Sequence, residues 1–293
     1  MSLLSRMNKK PEAGSTVDVG MSPRDLATFQ AILYEKSGIV LADNKRALVE
    51  SRVNQRLRIL GLNTFGAYLD MLQKDASGEE LVLLIDVIST NVTQFFREPD
   101  HFELMHEVVS KWAESGVKRM RFWSAACSTG QEPYTMAMTL HPIMRKYGLD
   151  LKILATDIST RVLAHAKQGH YEPALLKGVP DNLRKTYFAR QKVDGQEVEA
   201  VSAQLKDMVM FRRLNFTVFP YPINGIFDMI LCRNAMIYFD RTLRGKMVPE
   251  FARLLKPEGY LLIGHAETLI GIEGGLRTIK PAVYQRLNDG EVS

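Results

Sequence analysis

From Gly116 onward, short apolar runs of strand length alternate with stretches of helical period, and this alternation constrains the fold more than any other feature. "RMRFWSAAC" reads as a buried strand, followed by a helix to Tyr147. "LKILATDIS" reads as a second strand and "TRVLAHAKQG" as the helix after it. "FDMILCRNAMIYF" gives a third strand with its exit loop, "RTLRGKMVPEFARLLKPEG" a helix, "YLLIGHAE" a strand and "AVYQRL" a last one. Apolar strands joined through helices predict an α/β fold, a mostly parallel sheet covered on both faces. The alternation fails between about residues 185 and 214. There "TYFARQKVDGQEVEAVSAQLKDMVMFRRLNF" reads as short antiparallel strands around an Asp194-Gly195 turn, a small β insertion.

The first part of the chain has a different character. From Ser22, an N-cap before Pro23, to about residue 90, the pattern is helical, with stops at Gly38 and Gly61 and no convincing strand. The expected organisation is a loose polar tail over 1–20, a helical domain over 21–90, a junction over 91–99 ("NVTQFFREP") and an α/β domain over 100–293 that starts with a helix from about Asp100 to Glu114. The net charge of +5 is compatible with nucleic acid, a membrane surface or an acidic protein partner, and does not choose among them. The two cysteines, Cys127 and Cys232, sit in apolar strand-like segments and read as reduced core thiols, so neither a disulfide nor a metal site is expected. No apolar run is long enough to span a bilayer, and the start carries no signal-peptide core, so the expected location is the cytoplasm.

In open α/β sheets, ligands bind outside the carboxyl ends of the strands. The strand exits are therefore read together. The first, "ACSTGQE", is a turn of small residues, which lets a ligand pass close to the backbone. The second strand ends in Asp157, placed to accept hydrogen bonds from a ribose diol. The pair suits a cofactor that contains a nucleoside. It is not the dinucleotide fingerprint, because Gly130 stands alone where that motif has three glycines. Glu132 at the helix entrance would repel a pyrophosphate but suits the cationic methionyl end of S-adenosylmethionine. A plain strand–turn–helix with a dipole-favoured glutamate stays open as the alternative at this point.

"NVTQFFREPDHF", "ACSTGQEPYTMAM", "ILATDIS", "LCRNAMIYF" and "LLIGHAE" occur in this order, and together they resemble the chemotaxis receptor methyltransferases, the CheR family. The resemblance runs from about Ser22 to Leu287. It implies a small all-helical N-terminal domain, then a Rossmann-like S-adenosylmethionine-dependent methyltransferase domain with a small antiparallel β insertion. Departures are small: "CSTGQE" where the family often has "CATGEE", Ala235 where a larger aliphatic residue is common, and "GHAE" for "GHSE".

Carried over residue by residue, the resemblance implies that Asn91, Thr93 and Arg97 close over the methionine and sulfonium end. Glu132 would contact the amino-acid moiety and Asp157 the ribose. Asn215 and Phe216 would flank the adenine, and Arg233 and Asn234 would line the floor near the reacting centre. Tyr238 would stand near the methyl group, with Arg97 or Tyr238 orienting the acceptor carboxylate. The implied reaction is methyl transfer to glutamate side chains of chemoreceptors, leaving S-adenosylhomocysteine. On the second helix, Lys45, Arg52 and Arg56 fall on one stripe at helical spacing, beside an apolar stripe of Val49, Val53, Leu57 and Leu60. The family recognises its substrate on this helix, so the basic stripe is expected to meet an acidic receptor helix. The β insertion is a possible dock for a receptor's C-terminal peptide. The chain is expected to act as a monomer, without nucleic acid and without inserting into membrane. A nucleic-acid methyltransferase is disfavoured because the third strand exits into "RNAMIY" rather than an Asn-Pro-Pro-Tyr type of motif. A non-catalytic adaptor and a nicotinamide dehydrogenase are the other rivals.

Overall fold

The computed structural model describes residues 20–42, 45–75, 78–88, 93–272 and 274–288. The expected tail, except Gly20, and Asn91 of the junction lie outside them. The chain divides into two compact units, Met1–Asn91 and Val92–Ser293. The first carries four helices among its described residues: α1 (Pro23–Ser37), α2 (Arg46–Leu60), α3 (Phe65–Lys74) and α4 (Glu79–Ile88). Ser22 and Asp25 form a reciprocal capping box at the start of α1, and Thr64 caps α3. Phe29, Leu33, Val49, Val53, Phe65 and Tyr68 are buried in this unit.

The second unit opens with α5 (Asp100–Glu114), β1 (Arg119–Ala125), α6 (Gln131–Tyr147), β2 (Asp150–Asp157) and α7 (Thr160–Gln168). Then come β3 (His170–Tyr171), α8 (Asp181–Tyr187), β4 (Phe188–Val193), β5 (Gln196–Val201), α9 (Ala203–Lys206) and β6 (Val209–Arg213). The last group is β7 (Phe227–Cys232), α10 (Arg241–Leu254), β8 (Leu255–Ile263), β9 (Leu276–Lys280) and β10 (Val283–Arg286). The large sheet has the order β6-β2-β1-β7-β8-β10-β9. Its first five strands are parallel, and β10 runs antiparallel to both β8 and β9.

Strand periodicity explains why both faces are covered. Phe122 of β1 pairs with Met229 of β7, and Trp123 pairs with Ile230. Phe122, Met229 and Leu231 pack in one apolar cluster with Met105 of α5 and Leu140 of α6. Trp123 and Ile230 point the other way, into a second cluster with Met247 and Phe251 of α10. Trp123 is fully buried, and its indole N–H donates to Oγ1 of Thr156 at 2.9 Å, so the large ring leaves no polar group unpaired. Among the described residues, no helix is long and apolar enough to cross a membrane.

The β insertion differs in extent from the expectation. The turn at Asp194-Gly195 joins β4 to β5 as a hairpin, but the third strand of this small sheet is β3, before residue 185. The "VMFRR" segment leaves the insertion and joins the large sheet as β6, parallel to β2, with Ile153 opposite Val209. A hairpin is a local pairing that its turn announces, whereas β6 pairs with residues 56 positions earlier, Ile153 opposite Val209, which no local pattern reveals. The edge strand β9 and helix α8 were not anticipated either.

Candidate active site at the carboxyl ends of the strands

Three residues of the turn after β1 hold left-handed backbone conformations: Ala126 (φ 65°), Ser128 (φ 49°) and Gly130 (φ 97°). Hydrogen bonds fix this shape. Cys127 N–H donates to the Thr156 carbonyl at 2.8 Å, and Ser128 N–H donates to Oδ2 of Asp157 at 2.9 Å. The other carboxylate oxygen of Asp157 accepts from Ser159 N–H at 3.0 Å, so the end of β2 organises both neighbouring turns. Gly130 is required by the protein itself. A Cβ there would fall 2.8 Å from Cβ of Ala166 and 2.8 Å from Oη of Tyr171. Gly130 thus has a packing reason of its own, independent of any ligand passing the turn. Oγ of Ser128 is buried without a hydrogen-bond partner, an acceptor and donor left over at this turn.

Beside this turn lies a buried charge cluster. Glu132, in the first turn of α6, accepts from Oγ of Ser124 at 2.6 Å and from Nη1 of Arg233 at 3.1 Å. Arg233 also meets Oε2 of Glu98 at 3.0 Å and donates to the Arg97 carbonyl. Its guanidinium lies 5.2 Å from the ring centre of Phe102, and 2% of its side chain is exposed. Burial pushes the Glu132 carboxyl up, against the pull of Arg233 and Ser124. At Glu98, burial is outweighed by Arg233 and by the hydrogen bonds of Asn234 and His265, and its carboxyl is held below the usual range. With both carboxyls ionised, the trio carries one negative charge in excess.

The exits of β7 and β8 complete the site. Asn234 holds φ 55°; its N–H donates to Glu267 at 2.9 Å and its Nδ2 to Glu98 at 3.3 Å. Tyr238 ends the short 3-10 turn Met236–Tyr238 and is half-buried. Leu214 N–H donates to the Asp157 carbonyl at 3.0 Å, which ties the segment carrying Asn215 and Phe216 to the end of β2. Oδ1 of Asn215 accepts from Thr217, and Phe216 is buried among Tyr221, Phe239 and Phe251. Thr93 is half-buried, as is Arg97. Glu98, His101 and His265 bring donor atoms within 4.8 Å of one another, but Arg233 already occupies Glu98, so a further cation would meet a positive charge.

The structure thus brings Glu132, Arg233, Asn234 and the Arg97 main chain into one network, with Asp157 in the adjoining turn. Three members, Ser124, Glu98 and Glu267, were not singled out from the sequence. Glu267 had one usable signal, its place three residues after Gly264 at a strand exit; Glu98 had none beyond lying in the junction. In the helical unit, Lys45 and Arg52 are exposed as expected. Arg56 is not. It is 7% exposed and forms a double hydrogen bond with Glu80 at 2.9 and 2.6 Å, and Tyr68 donates to the same carboxylate. Arg56 is a core ion pair of this unit, not part of a basic surface, because Glu80 of α4 meets the stripe there.

The donor set fits S-adenosylmethionine: a half-buried strand-end carboxylate for a diol, an unpartnered buried hydroxyl, and an acidic cluster for a cationic end. Comparison with known proteins agrees. The family described as "CheR methyltransferase, SAM binding domain" matches residues 91–284, and "CheR methyltransferase, all-alpha domain" matches 24–89. A chemotaxis protein methyltransferase of Borreliella burgdorferi is 38% identical over 277 residues, covering 92% of this chain and 96% of that protein. The chemotaxis protein methyltransferase of Escherichia coli is 38% identical, with 94% of each chain covered. That of Salmonella typhimurium is 40% identical over 80% of this chain and 81% of its own length. With family matches over residues 24–89 and 91–284 and relatives 38–40% identical over most of both chains, this protein belongs to the CheR methyltransferase family.

Proposed function

We propose that this chain transfers the methyl group of S-adenosylmethionine to glutamate side chains of chemoreceptors, forming glutamyl methyl esters, and that it does so as a monomer in the cytoplasm. The observation that carries the reading is Asp157 at the end of β2, set beside a cluster in which Glu98 and Glu132 share one arginine. The cofactor supplies an electrophilic methyl group on a sulfonium. The residues of the chain then bind, orient and exclude water. Asp157 takes the ribose hydroxyls, and Asn215 and Phe216 flank the adenine. Glu132, with Asn91, Thr93 and Arg97, takes the methionyl end, and Arg233 and Asn234 form the floor. A glutamate acceptor with a pKa of about 4.3 is already ionised at neutral pH, so no general base is required. Arg97 or Tyr238 orients that carboxylate, and positioning and desolvation are the main contributions to rate.

Lys45 and Arg52, on the exposed side of α2, are the basic residues offered to an acidic receptor helix. Among the described residues β4 pairs only with β5, so its outer edge is open to strand addition by a receptor's C-terminal peptide.

The test is calorimetric titration with S-adenosylhomocysteine, for wild type and Asp157→Ala. Binding by wild type that is lost in the variant supports the site. Wild type without binding returns the chain to the adaptor reading. Asp157→Asn, which keeps the size of the side chain but replaces one of its two acceptor oxygens with a donor, should also weaken binding.

A further inference from the structure

Glu267 ends the "GHAE" segment after β8 and takes no part in the contacts proposed above. Its carboxylate is buried, and it is spent on main-chain donors. Oε2 accepts from Gly264 N–H at 2.6 Å and from Asn234 N–H at 2.9 Å, and Oε1 accepts from Ile237 N–H at 3.2 Å. Two of the three donors belong to the exit of β7, the loop that presents Arg233, Asn234 and Tyr238. Asn234 stands in the left-handed region, where a residue other than glycine persists only when its surroundings hold it. Gly264 fits the same purpose. A Cβ there would come within 2.4 Å of Nδ2 of Asn234 and 2.9 Å of Oε2 of Glu267, so the glycine leaves room for the carboxylate to reach across. Burial drives the Glu267 carboxyl upward, and the main-chain donors oppose that shift. A carboxylate in this place offers two acceptor oxygens and no donor, which matches three N–H groups and which neither an amide nor a hydroxyl reproduces.

We infer that Glu267 is a positioning residue for methyl transfer: it clamps the 3-10 turn Met236–Tyr238 against the exit of β8 and thereby sets where the Tyr238 hydroxyl stands relative to the acceptor. The inference rests on the methyltransferase reading. Asn234 has a second anchor, its Nδ2 on Glu98, whereas the Ile237 amide has Glu267. Loss of the clamp therefore displaces Tyr238 more than Asn234, and it reduces turnover more than cofactor affinity.

The test is a double-mutant cycle on Glu267→Gln and Tyr238→Phe, with turnover on a receptor fragment, S-adenosylhomocysteine affinity by calorimetry and thermal unfolding measured for all four proteins. Glu267→Gln should lower turnover by about 10- to 100-fold, the scale of a displacement of about 1 Å, while affinity falls by less than about threefold. In the Tyr238→Phe background the same change should cost turnover less than about threefold. Additive losses, a parallel fall of turnover and affinity, or full turnover by Tyr238→Phe would each overturn the inference. If Glu267→Gln does not fold, Glu267→Asp, which keeps the charge but shortens the reach, takes its place in the cycle with the same criteria. Wild type that binds S-adenosylhomocysteine but methylates no receptor fragment would instead count against the functional reading on which the inference rests.

Discussion

Arg233 places Nη1 3.1 Å from Oε2 of Glu132 while its opposite edge lies 3.0 Å from Glu98, so one buried guanidinium holds two carboxylates apart. Removing it leaves two acidic groups without a countercharge. Arg233→Met should lose about 3–5 kcal/mol of stability near pH 8. In that variant the folded-state carboxyl pKa values rise above the unfolded ones, so the deficit should shrink as the pH falls toward about 5 and the groups take up protons. Urea unfolding at the two pH values checks this; a deficit that does not change with pH would show that the trio is not the source.

Arg56 and Arg52, four residues apart on α2, should separate stability from recognition. Arg56→Ala leaves the Glu80 carboxylate in the core of the helical unit without its countercharge, still held by the Tyr68 hydroxyl, and should cost about 3–5 kcal/mol. Arg52→Glu should leave stability within about 0.5 kcal/mol and lower receptor methylation without moving S-adenosylhomocysteine affinity. Unfolding curves beside methylation rates decide the matter. An Arg52→Glu protein with a full rate would remove α2 from the recognition surface.

Gly130→Ala puts a methyl group into Ala166 and Tyr171 at a φ that alanine resists. The substitution should destabilise the second unit by about 2 kcal/mol or more, and the turn that carries Ser128 should shift. Tyr171→Phe removes one of the two clashing atoms and should recover part of the loss. A double variant no better than Gly130→Ala alone would place the strain elsewhere.

His101 is fully buried and neither ring nitrogen has a hydrogen bond. Burial first, then the nearby Arg233 charge, depress its pKa from 6.5 to about 4, against the opposing pull of Asp100 and Glu98. Between those values the unfolded chain binds a proton that the folded chain refuses, so this residue weakens the fold as pH falls through about 6.5 toward 4. His101→Phe should lose less stability than wild type between pH 7 and about pH 4.5, by up to about 3 kcal/mol. Equal losses in the two proteins would mean that the imidazole titrates normally.

Much of this site could be read from strand exits, because the ends of buried strands mark where a parallel sheet binds its ligand. Asp157 and Glu132 are legible that way, whereas Arg233 and Asn234, also at a strand exit, rest on the family resemblance. Arg56 was misread because helical spacing assigns a stripe but cannot say whether another helix covers it; Glu80 is 24 positions away. The large-sheet partner of β6 was missed for a related reason, since pairing across a long stretch of chain leaves no local mark. Glu98 and Glu267 escaped notice because acidic residues in loops are ordinary, and what distinguishes these two is the number of donors that the fold aims at them.

The network that joins His265 to Glu98 spans 167 residues of chain. No fragment that stops before β7 can own it. A partly folded chain that has formed the turn after β1 but has not yet added β7 presents Glu98 and Glu132 with no guanidinium between them, and their mutual repulsion opposes closure. A ligand that needs the finished cluster therefore binds the completed second unit and stabilises it over every shorter intermediate. A cofactor held as proposed above would then report that the last strands have arrived.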